Sequence, residues 1–439
     1  MLKNLDFKDK KILILGFGRE GKDALLFLRK LFPSKKIGIA DQNENCKNLK
    51  IQDKNIIWHL GKDYLRAISK YDLIIKSPGI PIHLPEVEKA YKEKKITSAT
   101  EIFFKFFPGK IIGITGTKGK STTTYLIYKI LKAKLNSVYL VGNIGRPPLK
   151  VLLSAKKNSI AVFELSSHQL YNLCYSPHIA VFLNFYPEHL DYYKDIEEYL
   201  NAKANITLWQ TSEDFLIYNP RNKEVKKVAL ISKAQKIPLY FPEKIVKECG
   251  IQKTKFAGNF YSLNMAAAIK VGEILKIEKK VMKKVIENFK PLYHRLEFVG
   301  EFKGIKFYND SLSTIPETTI SAIRTFKDKI GSLILGGFDR GVSYTKLAKE
   351  ILKRKIPLLI FFPESGDRIW REILKFSKNK LPKAFLVQSM KDAVKIAFSF
   401  TKKGKICLLS PASPSFGLFR NYKERGNLFK KYVKYYGRN

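Results

Sequence analysis

The sequence predicts an α/β protein built from three successive units, each a parallel sheet with crossover helices. Short apolar runs alternate with helix-length amphipathic stretches along the chain, the pattern of parallel strands joined by crossovers. Two of the runs end in glycine-rich turns that open helices, at 16–21 and 113–121. The length, 439 residues, suits two to four domains at about 150 residues each.

The first unit opens with the run Lys11–Leu15, the turn Gly16-Phe17-Gly18-Arg19-Glu20-Gly21 and an amphipathic helix to about Leu31. A second strand ends at Asp41, and a third, Tyr71–Lys76, runs into Ser77-Pro78-Gly79-Ile80. The second unit starts near Phe107-Pro108-Gly109. It has strands at 110–114, 137–141, 159–165 and 178–184, and a helix over 120–134. The third starts near Pro291-Leu292, with strands at 332–336, 357–362, 383–387 and 405–410. The expected domains are therefore 1–107, 108–290 and 291–439. No fixed-period repeat and no low-complexity segment interrupts them.

Composition narrows the function. Hydrophobic residues make up 45% and charged residues 27%, as in a globular chain with cores of its own. No uncharged apolar stretch of about 18 residues predicts a membrane span, and the N-terminus lacks a signal-peptide pattern, so the expected compartment is the cytoplasm. The cysteines, Cys46, Cys174, Cys249 and Cys407, stand far apart, which argues against a zinc site or a disulfide framework. The net charge of +42 suggests nucleic acid, but the excess is spread along the chain and consists of 67 Lys against 14 Arg. We read it as a general lysine bias that also suits an anionic small substrate, with no nucleic-acid partner expected.

In the first glycine turn, Gly16, Gly18 and Gly21 follow a strand and open a helix, and Asp41 lies twenty residues beyond Gly21. Such spacing lets a phosphate approach the N–H groups of a helix N-terminus. The ligand could be a dinucleotide or another nucleotide diphosphate. The second turn, Gly113-Ile-Thr-Gly-Thr-Lys-Gly-Lys-Ser-Thr-Thr-Thr124, is the stronger signal. Its amides can form a nest for phosphate oxygens, Lys120 can reach the terminal phosphates, and the Ser121 hydroxyl can bind Mg²⁺.

The segment TGTKGKSTTT resembles the loop of the Mur ligases, and further segments extend that resemblance along nearly the whole chain. They are Gly142-Asn143-Ile144-Gly145, Glu164-Leu165-Ser166-Ser167-His168-Gln169-Leu170, and Asn184 to Asp191 with Glu188 in place of the usual Asp. Lys203 follows His189 by fourteen residues, and Asn259 and Asn264 lie in an asparagine-containing helix start. His294-Arg295, Asn309-Asp310-Ser311, Ser410-Pro411-Ala412 and Glu424-Arg425-Gly426-Asn427 complete the set.

The resemblance is to the branch that adds glutamate after L-alanine. It implies a Rossmann-like N-terminal domain, a P-loop ATPase-type central domain and a dinucleotide-fold-like C-terminal domain. The partners it implies are ATP, glutamate and UDP-N-acetylmuramoyl-L-alanine, with the protein acting as a monomer and not inserted in a membrane. Thr115, Gly116, Thr117, Lys118, Gly119, Lys120, Ser121, Thr122, Asn264, Arg295 and Asp310 would hold ATP. Gly18, Arg19, Glu20, Asp41, Gln42, Ser77, Pro78, Gly79, Asn143 and Ser166 would hold the uridine substrate. Lys120, Asn143, Glu164, His189 and Lys203 would be catalytic. Two Mg²⁺ ions would be held by Ser121, Glu164, His189 and a carbamylated Lys203, because a carbamate offers a hard cation oxygen where an ammonium repels it.

The match is incomplete at the amino acid. Where a lysine associated with glutamate often follows the NDS segment, this chain has Leu312, which cannot pair with a carboxylate. Arg340 is expected to grip glutamate instead, in bidentate fashion, beside Ser415 and Phe416. D-glutamate is the expected substrate, and L-glutamate stays open. Two other classes compete. A dinucleotide oxidoreductase would rest on Gly16 to Gly21, and a basic nucleic-acid-binding ATPase on the net charge. The first leaves the Thr115–Ser121 turn unexplained, and the second does not account for Glu164, His189 and Lys203.

Overall fold

The computed structural model describes residues 7–48, 53–188, 192–252, 254, 261–290, 292–377 and 381–438. The first sheet is formed by β1 (Ile12–Leu15), β2 (Ile37–Asp41), β3 (Ile56–Leu60), β4 (Leu73–Lys76) and β5 (Ile96–Thr97), in the order β3-β2-β1-β4-β5. All its pairings are parallel. Helices α1 (Arg19–Leu31), α2 (Pro85–Lys92) and α3 (Ala99–Phe106) accompany it. β1 is buried at every residue, and α1 turns Ala24, Leu25, Phe27 and Leu28 inward, the spacing of one helical face.

The second sheet contains β6 (Lys110–Thr115), β7 (Val138–Gly142), β8 (Ile160–Glu164), β9 (Ile179–Phe182), β10 (Phe215–Tyr218) and β11 (Gln235–Pro238). Its order is β11-β10-β9-β6-β8-β7, all parallel. The helices are α4 (Lys120–Lys132), α5 (Pro148–Leu152), α6 (Ser167–Leu170), α7 (Ile196–Leu208), α8 (Lys223–Ile231), α9 (Pro242–Glu248), α10 (Ser262–Ile274) and α11 (Lys279–Asn288). Because the strands run the same way, the segments after β6, β7, β8 and β9 all leave at the carboxyl edge, where open α/β sheets bind ligands.

The third sheet runs β12-β13-β17-β14-β15-β16. Its strands are β12 (Glu297–Phe302), β13 (Ile305–Asn309), β14 (Ile330–Gly337), β15 (Leu358–Glu364), β16 (Lys383–Leu386) and β17 (Ile406–Leu409). Only the β12–β13 hairpin is antiparallel within it. Helices α12 (Pro316–Phe326), α13 (Thr345–Lys353), α14 (Ser365–Phe376), α15 (Met390–Phe400) and α16 (Tyr422–Arg438) complete this part. The chain divides into two compact units, one holding the first two sheets and the other the third. Among the described residues no helix is long and apolar enough to cross a membrane.

Candidate active site

The second glycine turn leaves β6 at the carboxyl edge and opens α4. Gly116 (φ 152°) and Gly119 (φ 89°) take positive φ, which glycine adopts without the steric cost of a Cβ. The turn is fixed from three sides. Asn184, just after β9, accepts from the Lys118 N–H at 2.8 Å and donates back to the Lys118 carbonyl at 2.9 Å. Asn264 of α10 donates to the Gly119 carbonyl at 3.1 Å. The Thr117 hydroxyl bonds the Tyr186 backbone in both directions, and the Thr115 hydroxyl donates to Leu165 O. A turn held so firmly is pre-organised to present its amides to an anion.

The charged groups converge here. Lys120 Nζ donates to the Gly116 and Thr117 carbonyls at 2.9 and 3.0 Å. Lys203 projects from α7, a helix capped by the Asp195 side chain on Glu198 N, and is only 1% exposed. Its amine donates to Gly116 O at 3.1 Å and stands 4.9 Å from the Tyr199 ring centre. Burial first, then the Lys120 charge, hold the Lys203 amine well below the usual lysine range, against the pull of Glu188. Glu188 itself pairs with Lys118 at 3.0 Å. Glu164, buried at the end of β8, lies in register beside Ile114 of β6 and Gly142 of β7. His189, expected at this site, and Asn259, of the asparagine-containing segment, lie outside the described residues.

Among the described residues no cluster of three or more His, Cys, Asp or Glu could hold a metal by itself. The donor set still fits Mg²⁺, which binds by one or two carboxylates plus substrate phosphates and keeps waters. Glu164 and the Ser121 hydroxyl are hard oxygen donors of that kind. As a free amine, Lys203 is not.

The first glycine turn forms one wall of a 400 Å³ cleft between the first two sheets, lined by Gly18, Arg19, Glu20, Asp41, Ser77, Pro78, Gly79 and Asn143 among others. Asp41 accepts from Phe17 N at 2.6 Å, and Ser77 donates to Gly16 O at 2.7 Å. Arg19 donates to the carbonyls of Gly142, Asn143 and Gly145, which anchors the far wall. Glu20 accepts from Gln169 at 2.8 Å, while its second oxygen is buried without a hydrogen-bond partner. Burial pushes the Glu20 carboxyl up to about 7 and brings Lys76 down to about 8, each opposed by the other's charge. Ser166 does not line this cleft. It caps α6, accepting from Gln169 N at 3.2 Å. Gln42 is exposed just beyond β2.

Sequence reasoning missed Tyr192, whose hydroxyl donates to the Pro78 and Ile80 carbonyls at 3.1 and 3.0 Å and so clamps the Ser77–Ile80 turn from the second sheet. Its place beside the His189 to Asp191 segment was the available signal.

In the unit of the third sheet, the remote motifs meet. Asn309 donates to the Gly426 carbonyl at 3.3 Å and lies 3.0 Å from His294 Nδ1. A Cβ on Gly426 would stand 2.2 Å from that nitrogen, so the position requires glycine. Asp310 is buried. Its carboxylate accepts from Leu296 N, Ser313 and Ser410, and burial raises it to about 6 against those bonds. This internal set makes Asp310 the anchor of the 294–297 turn that carries Arg295. Arg425, 0% exposed, donates to the Ser311 hydroxyl and carbonyl and to the Ser413 and Pro414 carbonyls at 2.9–3.1 Å. It thereby fixes the segment leading to Ser415, which is buried, and Phe416, which is 51% exposed and packs edge-on to Phe338 at 6.2 Å. Arg340 is half-buried, after β14.

Nucleotide-type turns at sheet edges, with a buried lysine beside one of them, define an ATP-using enzyme of modular α/β build. Residues 114–242 match the Mur ligase middle domain and residues 10–97 the MurD-like N-terminal domain of the Mur ligases. The chain is 33% identical to the UDP-N-acetylmuramoylalanine–D-glutamate ligase of Acetivibrio thermocellus, covering 97% of this chain and 96% of that one. It is 35% identical to the ligase of the same name from Aquifex aeolicus, covering 97% and 98%. The solved structure of the MurF ligase of Thermotoga maritima with ADP superposes with a TM-score of 0.61 at 16% identity, over 98% of this chain and 97% of that one. A pseudomurein peptide ligase type C from Methanothermus fervidus gives 0.59 at 18%, over 96% and 100%. The chain belongs to the Mur ligase family.

Proposed function

We propose that this protein is an ATP-dependent ligase that joins D-glutamate to UDP-N-acetylmuramoyl-L-alanine, supplying peptidoglycan precursors in the cytoplasm, as a monomer and without nucleic acid. Curated relatives of that activity align along nearly the whole chain. The observation that carries the mechanism is the pair of amines, Lys120 and Lys203, on the Gly116 carbonyl.

A carboxylate and an ammonium are both stable ions at neutral pH and do not condense. ATP activates the alanyl carboxylate as an acyl phosphate, glutamate's amine attacks, and phosphate leaves. The first step presses an anionic acid against an anionic phosphate, so charge neutralisation and alignment supply most of the catalysis. Lys120 swings from its carbonyls to the phosphates, the amides of 116–121 cradle them, and Asn143 orients the substrate. Ser121 and Glu164 would hold Mg²⁺, which would supply further charge neutralisation. Lys203, whose amine burial holds well below the usual lysine range, is suited to take up CO₂. The carbamate so formed, with His189, would serve a second Mg²⁺.

Residues 1–107 are assigned the uridine carrier, through Gly18, Arg19, Glu20, Asp41, Gln42, Ser77, Pro78 and Gly79, with Asn143 and Ser166 from the central domain, 108–290. Residues 291–439 are assigned glutamate, through Arg340, Ser415 and Phe416, and, through Arg295 and the turn anchored by Asp310, ATP. The deciding experiment is a ligase assay with D- and L-glutamate supplied separately, read by product mass and chirality. Product from D-glutamate alone is expected. Product from L-glutamate alone reverses the stereochemistry, and no product from either refutes the activity.

A further inference from the structure

A cavity of 760 Å³ lies between the outer face of α4 and β7, the edge strand of the second sheet. It is larger than the cleft at the first glycine turn and falls within the range typical of small-molecule sites. Its chemistry is of two kinds. Tyr125 and Tyr128 of α4 stand one turn apart, ring centres 6.1 Å and planes 20° apart, and Tyr139 of β7 adds a third ring. Lys129, Lys132, Lys156 and Arg146 supply the charge, and no aspartate or glutamate lines the cavity among the described residues. In so basic a chain cations alone would not single out a cavity. Rings and cations together match a flat aromatic base joined to several negative charges.

We propose that this cavity binds a nucleoside polyphosphate at a site separate from the phosphate turn. The rings offer a base a stacking surface, Lys129 already lies 5.3 Å from the Tyr125 ring centre, and the remaining cations face the phosphates. The cavity also backs onto the substrate cleft. Gly145 and Arg146 line the former, and Gly142 and Asn143, from the same turn, line the latter.

Isothermal titration of the full chain with ATP and Mg²⁺ tests this. Two binding events per chain are expected. Lys120→Ala removes one, and Lys129→Glu with Lys156→Glu, both exposed positions, removes the other. Tyr128→Ala and the replacement of ATP by inorganic triphosphate each weaken that second event by at least about fivefold, the loss of a stacking partner. Lys223→Glu with Lys226→Glu, an equal charge change on α8, leaves both events in place. A single event in the wild type overturns the proposal. So does a second event that survives Lys129→Glu with Lys156→Glu, one lost equally in the α8 control, or one indifferent to both Tyr128→Ala and the absent base. If the double charge reversal does not fold, Tyr128→Ala and the triphosphate comparison decide alone.

Discussion

The amines of Lys120 and Lys203 converge on a single acceptor, the Gly116 carbonyl oxygen, at 2.9 and 3.1 Å. Two ammonium groups on one oxygen repel strongly where water is excluded. Lys120 opens the helix at the half-buried face of the turn, whereas Lys203 is buried, so Lys203 is the amine whose proton is held less tightly than a lysine's usually is. A neutral buried amine is a nucleophile toward CO₂.

Replacing Lys203 therefore separates stability from activity. Lys203→Met should fold and be at least as stable as the wild type, because it removes a group that resists protonation in the fold. Its turnover should fall by about two to three orders of magnitude, the scale of losing one electrostatic contact to a transition state. Lys203→Ala should be partly rescued by formate or acetate, which can occupy the space of the carbamate. Chain exposed to ¹³C-bicarbonate should show a labelled carbamate signal that Lys203→Met lacks. Full activity in Lys203→Ala without added acid would dispose of the carbamate role.

The phosphate turn depends on Gly119 for its hand as well as its space. At φ 89° a Cβ is strained, and it would stand 3.0 Å from the Asn264 nitrogen that holds the same peptide. Gly119→Ala should cost about 1–2 kcal/mol of local conformation. Most of it should appear as an approximately tenfold rise in the KM for ATP. Steady-state kinetics with each substrate varied in turn should show the KM for the uridine carrier little changed.

Glu20 gives the first unit a pH-dependent stability. Its carboxyl rises from an ordinary 4.5 to about 7, chiefly by burial, so between those values the folded chain keeps a proton that the unfolded chain releases. Stability is therefore fully present below pH 4.5, falls as pH rises through this window, and levels off above about 7, a loss on the order of 3 kcal/mol. Glu20→Gln preserves the shape and removes the titration. Urea melts of both proteins between pH 5 and 8 should diverge, with the variant ahead at the alkaline end. Parallel curves would contradict the buried, uncharged carboxyl.

Most of the sheet framework was legible in the sequence because its central strands are continuous apolar runs, such as Ile12–Leu15 and Ile406–Leu409, buried at every residue. The strands that escaped, β3, β5, β10, β11, β12 and β13, are mostly edge or near-edge strands with polar or mixed residues, like Gln235–Pro238. There the neighbouring strand, not the local pattern, decides the conformation. Chemistry at the second glycine turn was legible because its residues are consecutive. The clamp by Tyr192 on the Ser77–Ile80 turn and the meeting of His294, Asn309 and Gly426 link residues more than a hundred positions apart, and only the folded chain brings them together.

Arg425 is the last such case, and its burial makes a sharp test. Four of its hydrogen bonds tie the Asn309–Ser311 segment to Ser413 and Pro414. Burial brings the guanidinium down to about 9, opposed by Asp310. Removing it spares the desolvation of a cation but strands the Ser311, Ser413 and Pro414 carbonyls. Each buried acceptor left without a donor costs about 1–3 kcal/mol, so the loss should dominate. Arg425→Lys keeps the charge but not the fork, and should destabilise the chain by about 2–4 kcal/mol. Because the loosened segment leads directly to Ser415 and Phe416, the KM for glutamate should rise more than those for ATP and the uridine carrier. Thermal melts together with three-substrate kinetics check both halves. If all three KM values and kcat instead decline in step with the folded fraction, Arg425 is structural and does not position the amino acid.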